Sequence, residues 1–186
     1  AIAGMTPLRR VGEAEDVAGF DAIIHLAGLS NDPLGDYRPH LTEDINETAA
    51  VELARLAKAA GVQRFLFASS CSNYGAGGAD FLDEHATFNP VTPYGVSKVK
   101  VEAALEKMAD ADFSPTYLRA STAYGVSPLI RFDLVINNLT AWALTTGLVY
   151  LKSDGTPWRP VVHVADIALA YVAALQTAVQ DASADG

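Results

Sequence analysis

The chain has 186 residues, half of them hydrophobic, which suits one domain with a substantial core. Its 13 basic and 22 acidic side chains give a formal charge of -9 and no Lys/Arg cluster, which argues against nucleic acid as a partner. No apolar run is long enough to span a bilayer, and the first residues carry no signal-peptide pattern, so no membrane partner is expected.

Apolar strand-like runs alternate with helical patterns along the chain. That alternation predicts an α/β fold, a parallel sheet with helices on both faces. Residues 21–28 read as a strand and its exit, and residues 43–60 as an amphipathic helix closed by Gly61. Residues 63–69 form the next strand, followed by the turn-rich segment 71–75 and a helix over 92–109. A strand is expected at 115–120, then a helix over 132–146 with Gly147 as its stop. Residues 148–151 and 160–163 read as short strands, and 164–179 as a last helix. The acidic tail 180–186 is expected to fray. Cys71 is the single cysteine, so no internal disulfide forms, and a reducing, cytoplasmic setting is the simplest expectation. Cys and His are too scattered for a zinc site, and no metal is expected.

The most informative pair is Tyr94 and Lys98. On a helix, residues four apart share one face. Thr92 can cap this helix and Pro93 suits its first position. A free tyrosine ionises near pH ~10, and a neighbouring cation favours its phenolate. Such a tyrosine is suited to moving a proton on or off a hydroxyl. The strand ending in Ser69 and Ser70 immediately precedes this helix, and ligands collect at the carboxyl ends of parallel strands.

The segment Ser69-Ser70-Cys71-Ser72-Asn73-Tyr74-Gly75, followed by Pro93-Tyr94-Gly95-Val96-Ser97-Lys98, resembles the extended short-chain dehydrogenase/reductases, in particular the nucleotide-sugar epimerases and dehydratases. The resemblance runs over residues 17–177. It implies a Rossmann-type doubly wound parallel sheet and NAD as cofactor, with NADP left open. It further implies an incomplete cofactor-binding core over residues 1–125. Residues 126–186 then hold a mixed substrate-binding region with the last core strand and helix. No G-x-x-G-x-x-G turn for a pyrophosphate occurs in the sequence, and Gly75, Gly77 and Gly78 follow the wrong strand for that role. The chain therefore reads as truncated at its N-terminal side, either a fragment or a natural truncation.

The resemblance carries roles onto particular residues. Ser70 would hydrogen-bond the reacting substrate oxygen, Tyr94 would act as acid/base, and Lys98 would hold the nicotinamide ribose. Leu26, Ala27 and Gly28, in the run His25-Leu26-Ala27-Gly28, would lie against the cofactor, with small side chains allowing close approach. His25 would support that loop. Asn46 would steady the site through backbone contacts. Ser69 would sit beside the cofactor, its hydroxyl bonding backbone. Cys71 and Ser72 occupy positions where the related dehydratases hold Asp then Glu, which points away from 4,6-dehydration and toward epimerisation or simple oxidoreduction. Loop residues 30–35 are candidates for substrate contact. Asn138 and Arg159 match residues that contact the substrate's phosphates in the 4-epimerases, and a guanidinium fork suits a diphosphate. Thr122 stands where many relatives carry asparagine. His163 and Asp166 would organise the turn into the last helix.

The expected function is NAD-dependent epimerisation, or a related oxidoreduction, of a nucleotide-activated sugar through a transient keto intermediate. Two alternatives stand beside it: a same-fold reductase or dehydrogenase on another carbonyl or alcohol, and a non-catalytic binding module. Family members pair through two helices, which makes a homodimer through residues 43–60 and 92–109 the expected assembly.

Overall fold

The computed structural model describes residues 14–30, 39–75, 81–156 and 158–177. Loop positions 31–35, Gly77, Gly78 and the tail 180–186 lie outside the described residues. Strands β1 (Ala22–His25), β2 (Arg64–Ser70) and β3 (Ser114–Ala120) form one parallel sheet in the order β1-β2-β3. His25 pairs with Phe67, and Ser70 with Ala120, so all three strands end along one edge.

The first helical stretch starts earlier than its amphipathic pattern predicts. It runs as α1 (Pro39–Thr42), a π-helical segment (Glu43–Thr48) and α2 (Ala49–Ala59). The missed turn, Pro39–Thr42, is four residues long, too short to show a helical period. A 3-10 turn (Cys71–Tyr74) follows β2, and α3 (Pro93–Glu106) comes next. Its start is as expected: Thr92 Oγ1 accepts from the Gly95 N–H at 3.1 Å, and Pro93 occupies the first turn.

Alternation along β2 sends its side chains to two layers. Phe65 and Phe67 meet Ala50, Ala54 and Ala57 of α2 and Val101 and Leu105 of α3, with Phe113 closing the cluster. Full burial of each large side chain contributes about 1.5–3 kcal/mol. Small alanines let α2 come close to the sheet, while the aromatic rings fill the space beneath it. Arg64 and Leu66 take the other parity. On that side Arg64 reaches α5 (Val164–Gln176), donating from Nη1 to the carbonyls of Ala174 at 3.3 Å and Leu175 at 2.6 Å, and from Nη2 to that of Thr177. The sheet thus has helices on both faces, as the doubly wound reading requires.

Beyond β3 the chain forms β4 (Thr122–Tyr124), α4 (Val135–Thr146) and β5 (Val161–His163) before α5. Strands β4 and β5 pair in parallel as a second, two-stranded sheet, Thr122 against Val161. Strand β4 was not anticipated, because three residues beside a turn carry too little pattern. Helix α4 begins at Val135 rather than 132, and Gly147 ends it in the left-handed conformation at φ 71°. Residues 148–151, expected to be a strand, take no regular structure. Leu148, Val149, Tyr150 and Leu151 are all exposed there, with no strand paired to them among the described residues.

Candidate active site

Strand β2 and helix α3 bring the sequence-predicted centre together. Lys98 is 4% exposed and donates from Nζ to the Ala68 carbonyl at 2.7 Å. The same ammonium stands 4.6 Å from the Phe67 ring centroid and 5.5 Å from that of Tyr94. Burial lowers the pKa of Lys98 to about 8, while Glu102, one helical turn on, pulls it the other way. It therefore remains mostly charged at neutral pH beside the Tyr94 ring. Tyr171 of α5 is buried in the same region; burial, with Tyr94 a smaller cause, pushes its pKa up to about 12. Nothing in the sequence pattern marked Tyr171.

Ser70 ends β2 in extended geometry and caps the 3-10 turn. Its Oγ accepts from the Ser72 N–H at 3.1 Å and donates to Ser72 Oγ at 3.1 Å. Ser72 thus orients the Ser70 hydroxyl. Cys71 is half-buried and carries a free thiol whose pKa burial raises, which disfavours its thiolate. Gly75 closes the turn at φ 65°, and a Cβ there would lie 1.9 Å from the Asn89 carbonyl oxygen. Only glycine fits that approach.

On the other side of Lys98, Leu26, Ala27 and Gly28 leave β1 exposed. Asn46, in the π-helical segment, locks this exit. Its Oδ1 accepts from the Leu29 N–H at 2.6 Å and its Nδ2 donates to the Leu29 carbonyl at 2.9 Å. The wider π turn carries a buried amide inward, and such segments recur at functional sites. A Cβ on Gly28 would lie 3.0 Å from Asn46 Oδ1 and 3.8 Å from Lys98 Nζ, so the loop backbone packs directly over both groups. His25 is buried against Phe65 and Phe67, each ring centroid 5.9 Å away. Burial first, then the Lys98 charge, lowers the pKa of His25 to about 4, so it is neutral at pH 7.

Ser69 departs from expectation. Its hydroxyl bonds side chains rather than backbone, donating to Glu102 Oε1 and accepting from Asn73 Nδ2 at 3.1 Å. Strand parity explains this, since Ser69 faces α3 like Phe65 and Phe67. The sequence reading missed the centre of this network. Glu102 is 4% exposed and takes a forked bond from Arg119, Nη2 to Oε2 at 2.6 Å and Nε to both oxygens at 3.1 Å. Arg119 also donates from Nη1 to Tyr74 Oη at 2.9 Å and to the Glu84 carbonyl at 2.8 Å. Breaking one half of a buried pair costs about 3–5 kcal/mol. A charged residue at a helix position four after Lys98 was the available signal.

The remaining predicted residues form a second group around β4, β5 and α4. Thr122 donates its N–H to the Pro160 carbonyl at 3.2 Å, which sets β4 beside the residue after Arg159. Arg159 is exposed and has no hydrogen-bond or ion-pair partner among the described residues. Asn138 donates from Nδ2 to the Phe132 carbonyl at 2.8 Å, so its amide steadies the start of α4. The adjacent Asn137, not anticipated, bridges two loops: Oδ1 accepts from the Gly125 N–H at 3.2 Å and Nδ2 donates to the Arg131 carbonyl at 3.0 Å. His163 caps α5 as expected, Nδ1 accepting from the Ala165 N–H at 3.2 Å. No hydrogen bond joins Thr122, Asn138 or Arg159 to Ser70 or Lys98. Among the described residues no cluster of His, Cys, Asp and Glu suits a metal ion, and no helix is long and apolar enough to cross a membrane.

A parallel sheet flanked by helices, with Ser70 and Lys98 beside the end of β2, defines a Rossmann-type α/β domain, a fold in which ligands bind at the carboxyl ends of the strands. The profile of the NAD-dependent epimerase/dehydratase family matches residues 5–185, and the chain belongs to that family. It is 33% identical to human UDP-glucose 4-epimerase over 185 residues, covering 84% of this chain and 50% of that protein. The Yersinia pestis UDP-glucose 4-epimerase is 29% identical, over 95% of this chain and 60% of the relative. Among solved structures, MoeE5 in complex with UDP-glucose and NAD superposes with a TM-score of 0.79 at 29% identity, covering 90% of this chain and 56% of that one. TunA, an NAD-dependent NDP-hexosamine 5,6-dehydratase, gives a TM-score of 0.79 at 25% identity, with the same coverage. The chain spans about half the length of the human relative it matches.

Proposed function

We propose that the protein carrying this chain is an NAD-dependent epimerase of a nucleotide-activated sugar, with Tyr94 as its acid/base. The observation that carries this is the Lys98 ammonium, buried and held by the Ala68 carbonyl, 5.5 Å from the Tyr94 ring beside the end of β2. A fixed cation there favours the phenolate and so prepares Tyr94 to take a sugar hydroxyl proton. Ser70, oriented by Ser72, is the hydroxyl that would bond the same oxygen. The site suits the nicotinamide–ribose half of NAD: Lys98 supplies donors, and the exposed backbone of Leu26, Ala27 and Gly28 leaves room for close approach. Bound NAD would accept the ring hydride and return it.

With the proton on Tyr94 and the hydride removed, the sugar carbon becomes a ketone. Return of hydride to the opposite face inverts it, and Tyr94 gives the proton back. Cys71 and Ser72, where related dehydratases hold carboxylates, support this over water elimination. Exposed Arg159 suits the diphosphate of the sugar nucleotide, and Asn138 and Thr122 are the further residues we assign to substrate contact. The UDP-glucose bound by MoeE5 makes UDP-hexoses the first substrates to try. A cytoplasmic location and a homodimer through α1–α2 and α3 complete the proposal. On those helices Ile45 and Val96 are the large apolar residues left exposed, and sedimentation velocity tests the dimer.

The deciding experiment starts with NAD(H) released on denaturation and quantified by mass spectrometry, then compares the native protein with Tyr94→Phe in 4-epimerisation of UDP-glucose. Stoichiometric NAD and a loss of about 10²-fold or more in kcat, with an unchanged melting temperature, are expected. Retained turnover in the variant would remove Tyr94 from its role. A protein that neither carries nor binds NAD would instead be the non-catalytic module.

A further inference from the structure

We propose that Glu102 is a positioning residue for this reaction: its buried carboxylate clamps the turn that carries Ser70 onto the helix that carries Tyr94 and Lys98. The proposal rests on the catalytic reading of those three residues. Glu102 lies four residues beyond Lys98 and eight beyond Tyr94, so all three share one face of α3. Its Oε1 accepts from Ser69 Oγ, from Asn73 Nδ2 at 2.9 Å and from Arg119 Nε at 3.1 Å. Its Oε2 takes Arg119 Nη2 at 2.6 Å. One carboxylate thus gathers the residue before Ser70, the turn after it and strand β3.

Besides this carboxylate, the turn meets α3 through close backbone packing, since a Cβ on Gly95 would lie 2.9 Å from the Ser72 carbonyl oxygen. The Ser70 hydroxyl bonds Ser72, within the turn. Asn73 passes the constraint onward, because its carbonyl accepts the Asn89 N–H at 2.9 Å. Arg119 extends it to Tyr74 and to the Glu84 carbonyl, in the segment that leads into α3. Small errors in the spacing of reacting groups lower kcat more than they weaken binding.

Two variants test the clamp. Glu102→Gln removes the charge but strands the Arg119 guanidinium, so Asn73→Ala is made beside it, cutting a neutral link and leaving the ion pair whole. Amide hydrogen exchange is read at Ser72 and Asn89, which report the turn, and at Phe65 to Phe67, which report the core. The expected result in both variants is exchange about tenfold faster at Ser72 and Asn89 with the β2 core unchanged. In the NAD-loaded protein, kcat should fall about tenfold with KM within about twofold, while Tyr94→Phe, with intact exchange, loses turnover altogether. Equal acceleration at turn and core would make Glu102 a general stabiliser and overturn the clamp, as would unchanged exchange and kcat in Asn73→Ala. Full turnover in Tyr94→Phe would overturn the catalytic reading and the positioning role with it, whatever the exchange shows.

Discussion

His25 gives the fold a measurable acid sensitivity. Unfolded, a histidine titrates near ~6.5; buried against Phe65 and Phe67 beside Lys98, His25 holds a proton only below about 4. Between those values the unfolded chain binds the proton and the native one does not, so stability falls as pH drops from about 6.5 to 4 and levels off below. The lost contribution is about 3 kcal/mol. His25→Phe keeps the ring packing and should flatten this part of the urea-midpoint profile; an unchanged profile would mean that other groups set it. Gly75 gives a second residue-scale test. Its φ of 65° and the 1.9 Å approach to the Asn89 carbonyl leave no room for a methyl group, so Gly75→Ala should cost about 2 kcal/mol or more in chemical denaturation. Tyr94 and Lys98 were legible as a pair because helix periodicity and the Thr92–Pro93 start are local facts. The bonds of Ser69 and Arg119 to Glu102 were not, since they join residues 33 and 17 positions apart in different elements.

Among the elements, α5 is tied to β2 by the Arg64 guanidinium. Arg64 opens β2 yet donates to the carbonyls of Leu175 and Thr177 at the end of α5. Replacing it by Met preserves the stem and removes those donors. Arg64→Met should lower stability by about 1–2 kcal/mol and speed exchange of α5 amides ahead of those in α3. Uniform acceleration would show instead that α5 unfolds only with the whole domain. The π-helical segment around Asn46 makes the opposite point about prediction. Apolar spacing predicted a helix over residues 43–60, and its alanines at 50, 54 and 57 are buried in the core. It could not find a turn of different pitch, because that pitch serves one buried amide rather than a stripe.

At the scale of the molecule, the two halves of the chain differ in how well they cover their apolar surface. Around β1–β3 the large residues meet across α2 and α3. From residue 126 to 158, Val126, Leu129, Phe132, Trp142, Leu144, Leu148, Val149, Tyr150, Leu151 and Trp158 are exposed. Patches of this kind mark surfaces that take a partner, a ligand or more of the protein. The 186-residue chain by itself should therefore enhance ANS fluorescence and sediment above monomer mass at micromolar concentration; weak ANS binding by a monodisperse monomer would contradict this.

Local rules by themselves determined the α/β class of fold, the alternation of helix and strand, the N-terminal cap of α3, and the shared helix face of Tyr94 and Lys98. Each depends on residues within a few positions of one another, where periodicity, capping and turn chemistry act. Only the tertiary structure decided that Glu102 and Arg119 form a buried ion pair bonded to Ser69 and Asn73, that His25 is neutral, that Ser69 turns toward α3, and that residues 148–151 form no strand. Those outcomes depend on which groups lose their water together, and burial is a property of the packed chain rather than of any stretch of it.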